Sequence, residues 1–76
     1  MNKIRRESLA KLSEQLENIK SDAEMYRDEE QEYLDNMPES LQQGDKAQMA
    51  EEAVSAMDDT INSLEEAISN LETAQQ

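Results

Sequence analysis

Residues 50–72, AEEAVSAMDDTINSLEEAISNLE, repeat with a period of seven. Ala50, Met57, Leu64 and Leu71 form one apolar series. Val54, Ile61 and Ile68 form a second, four residues behind the first. Apolar residues spaced alternately by four and three mark the seam of a coiled coil, with positions lettered a to g. Val54, Ile61 and Ile68 take position a, and Ala50, Met57, Leu64 and Leu71 take position d. Acidic pairs then fall at e and f: Glu51-Glu52, Asp58-Asp59 and Glu65-Glu66, followed by Glu72 alone at e. Ala53, Thr60, Ala67 and Ala74 fall at g. The stretch predicts one long helix with an apolar seam, a flank of small residues and a rail of negative charge.

The N-terminal half carries the same period. Leu9, Leu12, Leu16, Ile19, Ala23, Tyr26, Glu30, Tyr33 and Met37 follow a 3-4 spacing without a skip, which predicts a first helix over about 3–36. Its e positions are Arg6, Ser13, Lys20, Arg27 and Leu34. Glu30, at an a position between two tyrosines, reads either as a polar register key or as a residue reaching water where the seam opens. A Tyr26-Glu30-Tyr33 patch beside Met37 and Met49 would give the hairpin a binding tip, although core filling is the simpler role for these residues.

Between the helices stands Pro38, which ends the first helix near Asn36 or Met37 and is suited to open the turn PESLQQ. Gly44 is expected to close that turn in a left-handed conformation, and Leu41 to fold back over the tip. Asp45 followed by Gln48 reads as an N-cap with a capping box, opening a second helix over about 46–73. A connector as short as 38–44 makes the two helices antiparallel. Their e positions then face each other, and the signs match, with Arg6, Lys20 and Arg27 set against Glu51, Asp58, Glu65 and Glu72. In the register where paired numbers sum to 85, Arg27 would meet Asp58 and Lys20 would meet Glu65, although the sequence does not fix the register.

The fold class expected is therefore all-α: an antiparallel two-helix coiled-coil hairpin forming a single domain over 1–76. Its core residues are Leu9, Leu12, Leu16, Ile19 and Ala23 on the first helix. On the second they are Val54, Met57, Ile61, Leu64, Ile68 and Leu71. A 76-residue chain buries a small core, so dimerisation into a four-helix bundle is also expected. The small residues at b and c of the second helix, Ser55, Ala56, Asn62, Ser63, Ser69 and Asn70, or those at g, would admit a second hairpin. The sequence does not fix which of these sides is buried.

Composition narrows the chemistry. With no cysteine and no histidine, the chain lacks a thiolate nucleophile and the commonest general base and transition-metal ligand. The carboxylates of residues 28–35 lack the spacing and glycine of a calcium loop. No enzyme activity, cofactor or metal is expected. No apolar run reaches membrane-spanning length, and the basic N-terminus lacks the apolar core of a signal peptide, so a cytoplasmic location is expected.

Charge points to a partner. Of a net charge of −12, residues 28–76 contribute fourteen acidic side chains and only Lys46 in opposition. Such a chain repels nucleic acid and anionic membranes and suits a protein with a basic surface. The acids at f, Glu52, Asp59 and Glu66, have no basic counterpart on the first helix. With Asp28, Glu29 and Glu32, and with Tyr26 and Tyr33, they are the candidate partner-binding residues. One reading of the rail is imitation of a nucleic-acid backbone in a basic cleft. The other is a structural or assembly coiled coil whose acidity only keeps it soluble.

The segment DEEQEYLDNMPESLQQGDKAQMAEEAVSAMDDTINSLEEA, roughly residues 28–67, resembles a group of small acidic helical-hairpin proteins often borne by phages and prophages. The resemblance rests on the string D-E-E-Q-E-x-x-D-N-M-P-E-S-L-Q followed by an E-x-A heptad helix. It carries no catalytic residue. A phage origin would imply, by analogy of class, an inhibitor of a host nucleic-acid-binding defence effector acting in the host cytoplasm.

Overall fold

The structure, a computed structural model, describes Met1–Gln76. Helix α1 spans Lys3–Asp35 and helix α2 spans Asp45–Ala74, with a 3-10 turn at Glu39–Leu41 between them. The two helices pack on each other antiparallel, in a rod of 59 × 14 × 12 Å. The hairpin expected from the heptads is the fold.

Local chemistry sets the ends. Asn2 caps α1, its side-chain oxygen accepting from the Arg5 N–H at 2.7 Å. Asn36 ends the helix, and Pro38 bars its continuation. The Leu41 N–H then donates to the Pro38 carbonyl at 2.8 Å, and the Gln42 side chain donates to the Met37 carbonyl at 3.1 Å. These bonds close the connector on itself. Gly44 departs from expectation. Its backbone is extended (φ −86°, ψ 177°), with no left-handed residue anywhere in the chain. It is Gly44, not Asp45, that holds the N-cap position of α2, and no side chain caps that end. A glycine suits this place because an added Cβ would lie 3.3 Å from the Leu41 carbonyl oxygen. Asp45 becomes the first helical residue instead, where its charge favours the helix dipole. Leu41 does not cover the tip: it is exposed.

On α2 the seam is as the heptads predict. Ile61 and Ile68 are buried, as are Ala47 and Ala50 near the tip. Val54, Met57, Leu64 and Leu71 are half-buried. On α1 only one of the two expected columns turns inward. Leu9, Leu16, Ala23 and Glu30 are half-buried and Met37 is buried. The d column faces water: Leu12 is 46% exposed, Ile19 52%, Tyr26 57% and Tyr33 49%. Leu12 and Ile19 are therefore not core residues of the hairpin. In their place the e column, Ser13, Lys20, Arg27 and Leu34, lies half-buried against α2. Two helices can cover only about two columns on each other, and α1 is rolled so that its a and e columns are the covered pair. Lys20 and Arg27 fit there because their aliphatic stems cover apolar surface while their charged heads reach the flank.

The buried isoleucines hold the rod together. Ile61→Ala should destabilise the protein by about 2–5 kcal/mol in chemical denaturation. Met49→Ala, at a position 68% exposed, should change stability by less than about 0.5 kcal/mol. Equal effects of the two substitutions would contradict this seam.

Candidate functional site

Three surface features emerge from this geometry, and the sequence-predicted site residues are distributed among them. The first is the flank where the e positions meet. Arg27 Nη1 donates to Asp58 Oδ1 at 3.0 Å, and Lys20 Nζ lies 3.4 Å from Glu65 Oε1. This is the register in which paired numbers sum to 85. Arg27 also holds Asp28, donating from Nε to Oδ1 at 3.1 Å. Asp58, and then Asp28, raise the Arg27 pKa above its ordinary value. A cation whose folded pKa is raised contributes stability below its unfolded pKa and loses it only as pH rises through the folded one. For an arginine that window lies in strong alkali, so this pairing persists through the neutral range. Arg6 forms no ion pair within the chain. Farther along, the Gln75 side chain donates to Ser13 Oγ at 3.2 Å and to the Leu71 carbonyl at 3.0 Å, fastening the end of α2 to α1.

The second feature is the acidic row at f. Glu52, Asp59 and Glu66 are exposed on the side of α2 turned away from α1, and none forms an ion pair. Seven residues of helix separate neighbours, or about 10 Å. The other candidate acids do not join this row. Asp28 is engaged by Arg27 on the flank. Glu32, at position c, lies on the outer side of α1, and Glu29, at g, lies toward the exposed d column. The six acids are thus spread over different sides of the rod. No three acidic side chains converge in a way that could hold a metal ion.

The third feature is at the tip. An open groove of about 690 Å³ runs beside Tyr33, Met37, Pro38 and Leu41, with Glu29, Glu32 and Asp45 along its edge and Lys46 beside them. The tip patch expected from Tyr26, Glu30 and Tyr33 is divided. The tyrosines point outward, whereas Glu30 is half-buried in the seam and Met37 is buried. Tyr33, which lines the groove, is also the tip end of the exposed line of Tyr33, Tyr26, Ile19 and Leu12. Sequence reasoning placed Leu12 and Ile19 of that line in the core and set Tyr26 and Tyr33 among the candidate partner-binding residues. The signal that could have found it is the basic e column of α1, which competes with d for the inward position.

No family model, curated protein or solved structure matches the chain. No helix is long and apolar enough to cross a membrane.

The e-flank pairs fix alignment more than stability. In a double-mutant cycle on Lys20→Glu and Glu65→Lys, the coupling energy should be about 0.2–1 kcal/mol. The doubly reversed protein should recover what each single reversal loses. A coupling of zero would show that Lys20 and Glu65 do not read each other.

Proposed function

We propose that the chain is a non-enzymatic protein-binding module that offers an acidic row to a basic protein surface. The observation that carries this reading is a division of labour within two of the three acidic pairs, Asp58-Asp59 and Glu65-Glu66; in the third, Glu51 is as free of ion pairs as Glu52. Asp58 and Glu65, at e, are taken by Arg27 and Lys20. Glu52, Asp59 and Glu66, at f, are left in solvent at a regular spacing with no internal cation. A lysine- and arginine-lined groove attracts a spaced row of anions whatever backbone carries it. In its sharper form the row imitates nucleic acid and blocks a nucleic-acid-binding effector. The phage-type resemblance of residues 28–67 supports that form. The second reading, an assembly module, is favoured by a different observation: the uncovered apolar column on α1.

Salt and competition separate the two readings. A pull-down with the wild-type chain from bacterial lysate should capture nucleic-acid-binding proteins at low salt and release them on adding DNA, RNA or salt. The variant E52Q/D59N/E66Q should bind such a protein about tenfold more weakly, at roughly 0.5 kcal/mol per exposed charge, with its helix content unchanged. Undiminished capture by the variant would exclude the acidic row as the binding surface.

A further inference from the structure

We infer that the exposed d column of α1 and the small g column of α2 together form a self-complementary face that a second copy of the chain covers. In this dimer the two hairpins lie side by side with both tips at the same end. The inference stands apart from the acidic-row proposal and uses a different side of the rod.

Area supplies the first support. The hairpin exposes 5781 Å². A compact monomer of 8.7 kDa would expose about 4,700 Å². The excess, about 1,000 Å², is close to the roughly 800 Å² that each partner gives up in a standard interface. The interior is correspondingly thin, with five of 76 residues buried and no large side chain fully enclosed. Magnitudes lead the same way. Leaving a Leu, Ile or Tyr-sized side chain half in water forgoes about 1 kcal/mol or more each, whereas each ion pair gained by rolling α1 returns about 0–1 kcal/mol. A hairpin acting alone would gain by turning its d column inward. The roll is favourable if something else covers that column.

Shape and charge specify the occupant. The e-flank pairs fix the levels along the rod, and they set Tyr33 level with Ala53, Tyr26 with Thr60 and Ile19 with Ala67. On this side, then, α1 is a ridge of large apolar residues and α2 is a shallow track of small ones. The Thr60 hydroxyl donates to its own helix, to the Ala56 carbonyl at 3.0 Å, so it needs no water. The g and c columns of α2 carry no acid at all, in a chain of net charge −12. This is the one side of α2 where two such chains meet without opposing carboxylates. A two-fold axis along the length of the rod lays each ridge on the partner's track, large against small, with every neighbouring helix antiparallel. A two-fold axis across the rod would instead set ridge on ridge and put the tips at opposite ends.

Sedimentation equilibrium and intermolecular distance measurement test this together. The wild-type chain should have twice the 8.7 kDa monomer mass, and added salt should strengthen the pairing by screening its like net charge. A spin label on Gln43→Cys should report two tips a few helix widths apart. A distance near the 59 Å length of the rod would overturn the arrangement, and a monomer or a larger oligomer would overturn the dimer. Ile19→Glu with Tyr26→Glu should abolish pairing, and a dimer that survives it would overturn the face. Should that variant unfold, the wild-type mass and the tip-to-tip distance still decide.

Discussion

A helix covered by a single neighbour can hide about two of its seven columns, and α1 has three that compete for shelter. Its a, d and e columns are adjacent around the helix, and all carry side chains able to lie on apolar surface. The hairpin resolves the competition by turning a and e toward α2, where they are half-covered. Everything notable about the molecule follows from that choice. The e column brings Arg27 and Lys20 over Asp58 and Glu65 and so fixes the register. The d column is turned outward as a line of Leu12, Ile19, Tyr26 and Tyr33. α2 faces no such conflict, because its e column is acidic and its g column is small. Its a and d columns go inward without competition.

Fold class, element order and approximate helix ends were legible in the sequence because each rests on a local rule. The heptad period dictates two helices, Pro38 and a short connector dictate their reversal, and charge matching offers the observed register without fixing it. What was not legible depends on comparing columns with similar claims. A seam read by apolar identity alone places Leu12 and Ile19 inside. It undervalues Lys20 and Arg27, whose stems are apolar although their heads are charged. The N-cap of α2 failed for a related reason. Both Gly44 and Asp45 satisfy a capping pattern, and the one that must approach the Leu41 carbonyl closely takes the extended position. The cap of α1 by Asn2 was legible in principle, since a short polar side chain three residues before a free N–H is the ordinary N-cap signal.

The candidate site was legible as a list of residues and not as a surface. Glu52, Asp59 and Glu66 share one side because they belong to one heptad position of one helix. Asp28, Glu29 and Glu32 are close in the chain, yet successive helical residues point about a quarter-turn or more apart, so proximity in sequence scatters them. Asp28 is further withdrawn by Arg27, which serves both Asp28 and Asp58. Acidity summed over residues 28–76 is therefore a poor measure of what a partner would meet. The unpaired row on α2 is the better one.

The two surfaces are also separated by direction, and that has a consequence for how they would work together. The f row lies on the back of α2, away from α1, whereas the apolar face lies at the side of the rod. Pairing across the apolar face would leave both f rows in solvent. With the two-fold axis along the rod, the α2 helices occupy diagonal corners of the bundle, so their acidic rows face opposite ways. Each row keeps its own field, screened from the other beyond roughly 10 Å at ordinary ionic strength. A basic cleft would then engage one row at a time, and the dimer would act as two equivalent sites, not as one site of doubled charge. Apolar pairing and acidic binding would also respond to salt in opposite senses, so high salt would favour a free dimer and low salt a dimer carrying its basic partners.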